Sequence, residues 1–192
     1  MQEVFIKGMT YGWDGRRGDY RTDEAVQSLR RLKETGSEWI ALSFYTYQET
    51  YCSTEIYFDY HHTMTDRDLI FAVEQAHELG LKVCLKPVVN SRDGIWRARI
   101  GFPDEAEDKW QAWFQSYRQF LNHYAELAEE LDCDMFTVGC EMVATEGRVS
   151  NWQEVIREVR ERYHGPIIYN ANHGKEEGVS WFDLVDYIGT SA

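Results

Sequence analysis

Along the whole chain, short apolar runs rich in β-branched residues alternate with stretches of helical periodicity, and this alternation limits the fold more than any single motif. The runs 4–11, 39–44, 81–88, 135–142, 166–172 and 187–192 read as strands. Between them, Thr22 reads as an N-cap followed by Asp23 and Glu24, opening a helix that buries Ala25, Val26, Leu29 and Leu32 and stops at Gly36. Thr65 and Asp68 form a capping signal ahead of Leu69, Val73 and Ala76. Asp104, with Glu107 three residues on, opens the longest helix, whose buried stripe runs Trp110, Trp113, Phe114, Tyr117, Phe120, Leu121, Tyr124, Leu127 and Leu131. Ser150 and Gln153 read as a capping box for a helix that buries Trp152, Val155, Ile156, Val159 and Tyr163 and ends at Gly165. A short helical stretch is expected over 179–185.

Strands joined by helices run parallel, linked by right-handed crossovers. The sheet is then either doubly wound or a barrel. A (β/α)8 barrel takes about 250 residues, roughly 31 per unit, so six units match a chain of this length. No phosphate-cradling GxGxxG or GxxxxGK[ST] follows any strand, which removes the main support for a nucleotide-binding doubly wound sheet. The expectation is an α/β fold with a single domain over 1–192, a (β/α)8 TIM barrel truncated after about six strands. Two long loops, 45–64 and 90–103, exceed what a connector needs. Pro87 suits the end of the third strand better than its middle.

The net charge of −13 repels phosphate at long range and disfavours nucleic acid or an anionic membrane as partner. No apolar run approaches the roughly 20 residues of a membrane span, and the N-terminus lacks the basic-then-apolar layout of a signal peptide. A cytosolic location is expected, with a mature fragment of something longer, and so secretion, as the alternative. Cys52, Cys84, Cys133 and Cys140 show no CxxC spacing and read as free thiols, so neither a metal site nor a disulfide framework is expected.

Glu141 stands at the carboxyl end of the fourth strand, where parallel β/α folds bind their ligands. The competing reading is a strand-end glutamate paired with an arginine such as Arg97. Asn90, Asn170 and Asn172 could hydrogen-bond the hydroxyls of a ligand, or cap turns. Lys86 either points into the barrel or sits in a structural ion pair. Trp13 and Trp96 offer flat faces for a sugar ring, the other reading being loop anchors at the barrel mouth.

Five stretches, Leu-Lys-Pro at 85–87, Trp-Arg-Ala-Arg-Ile at 96–100, Thr-Val-Gly-Cys-Glu-Met at 137–142, Tyr-Asn-Ala-Asn-His at 169–173 and Ile-Gly-Thr-Ser-Ala at 188–192, together resemble glycoside hydrolase family 113 in their order and spacing. That is a clan A family of (β/α)8 retaining β-mannanases. The resemblance implies a β-mannan or manno-oligosaccharide substrate, no cofactor, Glu141 as the general acid/base, and a nucleophilic glutamate at the end of a seventh strand that has no counterpart here. Cys140 stands where many clan members carry the asparagine that contacts the sugar 2-hydroxyl. A non-catalytic carbohydrate-binding or assembly module, self-associating through open sheet edges, is the alternative.

Overall fold

Six strands, β1 (Gly8–Tyr11), β2 (Trp39–Gln48), β3 (Lys82–Ser91), β4 (Met135–Cys140), β5 (Ile167–Asn172) and β6 (Tyr187–Ser191), run parallel in one sheet whose spatial order is the chain order. A doubly wound sheet reverses direction at a switch point, whereas sequential order throughout is that of a barrel wall. The computed structural model describes residues 5–12 and 14–191. Among these, β1 and β6 are the two unpaired edges.

Four helices cover the outer face: α1 (Asp23–Glu34), α2 (Asp66–Glu78), α3 (Glu107–Glu130) and α4 (Val149–Arg160). Thr22 caps α1 by accepting the Ala25 N–H. At α2 the Thr65 hydroxyl accepts the Asp68 N–H while the Asp68 carboxylate accepts the Thr65 N–H, a reciprocal capping box. Phe44, Leu85, Phe136 and Tyr169 on the strands meet Trp113, Phe114, Tyr117 and Tyr124 of α3 and Trp152 of α4, all fully buried. Each such side chain contributes about 1.5–3 kcal/mol by leaving water. Trp152 also stacks on Trp181 at 4.7 Å, tying the segment before β6 to α4. Towards the open edges the helix-facing side is bare: Met9, in register with the buried Ile40, and Ile188, in register with the buried Tyr169, stand 51% and 62% exposed, in positions that the further helices of a full barrel would cover.

Several boundaries differ from the sequence reading. The described part of the first strand is Gly8–Tyr11, and Val4 lies outside the described residues. β2 continues to Gln48 and β3 to Ser91, so the long loops begin later and Asn90 lies on the strand. Pro87 therefore sits inside β3. Lys82 donates its N–H to Glu38 on the β2 side and Val83 accepts from Asp134 on the β4 side, so by alternation Pro87 faces β4. There the ladder has already ended at Leu85–Phe136, and no N–H is missed.

Neither Asp104 nor Ser150 caps a helix. The helix α3 starts at Glu107 behind Ala106, and α4 starts at Val149 behind Arg148, both without a side-chain cap. Asp104 is engaged instead by Arg148, whose guanidinium also bonds Glu107 and lies over the Trp110 ring. The helix α4 ends at Arg160, before Gly165, and the stretch over 179–185 holds only the short 3-10 turn Phe182–Leu184. On α1 only Leu29 is fully buried; Ala25, Val26 and Leu32 are half-covered, since α1 flanks the open β1 edge.

Candidate active site

Strand β4 departs from regular geometry just before its end. Its register against β5 slips between Thr137 and Gly139, so Val138 is a surplus residue and Cys140 comes opposite Asn170. A Cβ on Gly139 would lie 2.8 Å from Tyr169 Cε2 and 2.9 Å from Trp152 Cη2, which leaves room only for glycine. Glu141 follows with φ 56°, a left-handed conformation that side chains other than Asn and Asp seldom adopt. Two bonds hold it: its own N–H donates to the Asn170 carbonyl at 2.8 Å, and the next N–H, of Met142, donates to the Tyr169 hydroxyl at 3.2 Å.

The result is a carboxylate at the mouth of the barrel. Glu141 is 16% exposed and lines a cavity of about 410 Å³ with Tyr45, Lys86, Arg97, Cys140 and Asn170. Among the described residues it is the one carboxylate in that lining. Arg97, from the 3-10 turn Arg97–Arg99, donates Nη1–H to Glu141 Oε2 at 2.5 Å. Its Nε–H goes to Asn90 Oδ1 at 3.0 Å, and the Trp96 indole donates to the same Glu141 oxygen at 3.2 Å. Burial raises the Tyr45 hydroxyl above its usual range, and Arg97, 5.7 Å from the ring centre, opposes that.

The candidate residues are thus mostly brought together. Glu141, Trp96 and, through Arg97, Asn90 form one hydrogen-bonded cluster, with Lys86 and Asn170 in the same cavity wall. Lys86 has no ion-pair partner among the described residues and faces inward between the mouth and a second inner cavity. Asn172 lies beyond the cavity, its amide turned to the His173 carbonyl at 3.4 Å, and Trp13 lies outside the described residues. Glu141 stands at the barrel mouth and is also paired with Arg97, so the two readings that competed in the sequence coexist.

Tyr45 is the site residue the sequence reading misses, because a strand over 39–44 stops one residue short of it; the alternation Ser43, Tyr45, Tyr47 along β2 puts it on the inner face. The sequence reading also passes over the buried pair Tyr169 and Glu146, joined at 2.6 Å. Among the described residues no three His, Cys, Asp or Glu side chains are arranged to hold a metal ion, and no helix is long and apolar enough to cross a membrane.

Comparison with known proteins bears on this geometry directly. The family model of Glycoside Hydrolase Family 113 matches residues 9–192. The chain belongs to glycoside hydrolase family 113. A solved GH113 β-1,4-mannanase complex is 44% identical with a TM-score of 0.95, covering 99% of this chain and 63% of that one. The GH113 β-mannanase AaManA from Alicyclobacillus acidocaldarius, solved in complex with ManMIm, is likewise 44% identical with a TM-score of 0.95, over 100% of this chain and 62% of its own. The exo-β-1,4-mannosidase Op5Man5 from Opitutaceae bacterium strain TAV5, at 14% identity and a TM-score of 0.60 over 90% of this chain and 33% of its own, shares the fold alone. No curated protein matches. Against its family 113 relatives the chain spans under two thirds of their length, and its six parallel strands are part of a (β/α)8 barrel, as the sequence led one to expect.

Proposed function

We propose that this chain carries the acid/base half of a retaining glycoside hydrolase acting on β-1,4-mannan or manno-oligosaccharides, with Glu141 as the general acid/base. The observation that carries the reading is a lone carboxylate, locked by its backbone and by Arg97, lining the mouth of a family 113 barrel. A retaining enzyme sets two carboxyl groups about 5–5.5 Å apart, one to protonate the departing oxygen and one to attack the anomeric carbon. In this reading Glu141 is the first. The second comes from a segment outside these 192 residues, in keeping with the greater length of the relatives. In this reading Lys86 and Asn170, which share the cavity wall with Glu141, bond sugar hydroxyls, and the half-exposed Trp96 stacks on a sugar ring.

The test is hydrolysis of manno-oligosaccharides by the chain as it stands and by a form extended with two further βα units. The extended form is expected to turn over and to lose about 10²–10⁴-fold on Glu141→Gln. An extended form without activity overturns the proposal.

One observation favours a second reading. β1 and β6 present unpaired edges beside the exposed Met9 and Ile188, a surface suited to pairing with another chain. A carbohydrate-binding or assembly module would then bind sugar without turnover and sediment as an oligomer. A soluble monomer with cooperative unfolding argues against it.

A further inference from the structure

The two oxygens of the Glu141 carboxyl have unlike surroundings. Oε2 accepts the Arg97 Nη1–H and the Trp96 Nε1–H, whereas no donor among the described residues reaches Oε1. Both groups on Oε2 are donors only: a guanidinium has five N–H bonds and no lone pair to offer, and an indole has one N–H. A proton placed on Oε2 would meet two hydrogens head-on. A proton on Oε1 leaves both bonds intact.

The donors are also prevented from turning away. Arg97 is 8% exposed, its Nε–H is committed to Asn90 Oδ1, and its guanidinium lies over the Tyr45 ring. A surface arginine would swing off to bulk water when its partner gained a proton; this one has no such route. Trp96 is tethered on the other side, 48% exposed, with its N–H edge directed at the carboxyl.

Resting on the acid/base reading above, we propose that Arg97, Asn90 and Trp96 are positioning residues that reserve Oε2 as an acceptor, so that the proton given to the leaving oxygen is carried on Oε1. In the first half-reaction the Oε1–H bond breaks and its proton passes to the departing sugar oxygen as that oxygen's bond to the anomeric carbon breaks and the second carboxylate bonds the carbon; the Glu141 carboxylate left behind is already faced by the Arg97 cation. In the second half-reaction a water loses its proton to Oε1 as its oxygen bonds the anomeric carbon and the bond from that carbon to the second carboxylate breaks, restoring the starting state. Asn90 acts only through Arg97. Trp96 serves twice, through its edge to the acid and through its face to the sugar.

The carbonyl stretch of the protonated carboxyl reports which oxygen is the acceptor. In the 192-residue chain, an acid-minus-neutral infrared difference spectrum, with Glu141→Gln used to assign the band, should show the Glu141 C=O stretch at the low wavenumber of a doubly hydrogen-bonded carbonyl. Trp96→Phe, which keeps a flat ring and leaves the fold undisturbed, should move the band up; Arg97→Met should move it further, and Arg97→Lys should bring it part of the way back. A band that stays put in Trp96→Phe and Arg97→Met overturns the inference, as does one already at the free-carbonyl position in the unmodified chain. These spectra need no turnover. A failed band shift in a chain whose extended form hydrolyses manno-oligosaccharides overturns the clamp alone. An intact clamp beside an inactive extended form overturns the hydrolase reading, and with it the destination of the proton.

Discussion

Tyr169 donates its hydroxyl to the Glu146 carboxylate at 2.6 Å. The same hydroxyl accepts the Met142 N–H, so a buried acid is linked through one ring to the peptide that follows Glu141. A left-handed conformation at a residue other than glycine costs about 1–2 kcal/mol and persists only where the surroundings impose it. The Tyr169 hydroxyl is part of what imposes it here.

Tyr169→Phe strips a partner from both the Met142 N–H and the Glu146 carboxyl while filling nearly the same volume. The expected loss is about 1–3 kcal/mol of stability, read from urea unfolding midpoints at neutral pH. A loss under about 0.5 kcal/mol would show that water or a repositioned group satisfies both atoms.

Burial holds the Glu146 carboxyl above its ordinary value of 4.5, with the Tyr169 hydrogen bond pulling the other way. A carboxyl raised in the fold binds its proton more tightly there than in the unfolded chain. Its contribution is therefore greatest below about pH 4.5 and declines as the pH rises through the folded value. Relative to Glu146→Gln, the unmodified chain should lose stability across that window and hold a constant difference above it. A difference that does not change with pH would contradict this assignment.

Asp68 behaves in the opposite sense. Burial pushes its carboxyl up, but the Arg21 guanidinium at 2.5 Å and the donors from Thr65 and Gly18 outweigh burial and hold it below 3.8. Its stabilisation is complete above the unfolded value and is lost as the pH falls through the lower folded one. Asp68→Ala should cost about 2 kcal/mol or more at neutral pH, since it breaks a capping box and a charged pair together. The penalty should shrink in acid. Thermal or urea unfolding from pH 7 downward tests both parts.

Gly139→Ala places a methyl within 3 Å of Tyr169 and Trp152, ring atoms that are themselves wedged in the core. Overpacking of this kind typically costs about 1–3 kcal/mol. Because Gly139 lies two residues before Glu141, the substitution should also lower mannan hydrolysis in the extended form, whereas Gly147→Ala, with open space around its Cβ position, should leave stability within about 0.5 kcal/mol.

What the sequence disclosed follows a physical division. Helix faces and starts governed by local chemistry were legible: the Thr65–Asp68 box, the Thr22 cap and the α3 aromatic stripe depend on residues three or four apart. Features that depend on distant partners were not. Asp104 looks like a cap until Arg148, 44 residues on, takes its carboxylate. β2 and β3 looked shorter because Tyr45, Tyr47 and Asn90 suit a loop until the mouth of the barrel gives their side chains partners. Glu141 could be picked out from its strand end, but its link to Trp96 spans 45 residues and no spacing rule anticipates it.

The surplus residue in β4 and the left-handed turn at Glu141 act as a matched pair. Strict alternation after the bulge would send the glutamate outward among the helix-facing rings; the backbone inversion returns it to the rim. Anyone grafting this acid onto another scaffold must transplant both irregularities together, because copying the glutamate by alignment alone would strand a charge in a hydrocarbon layer.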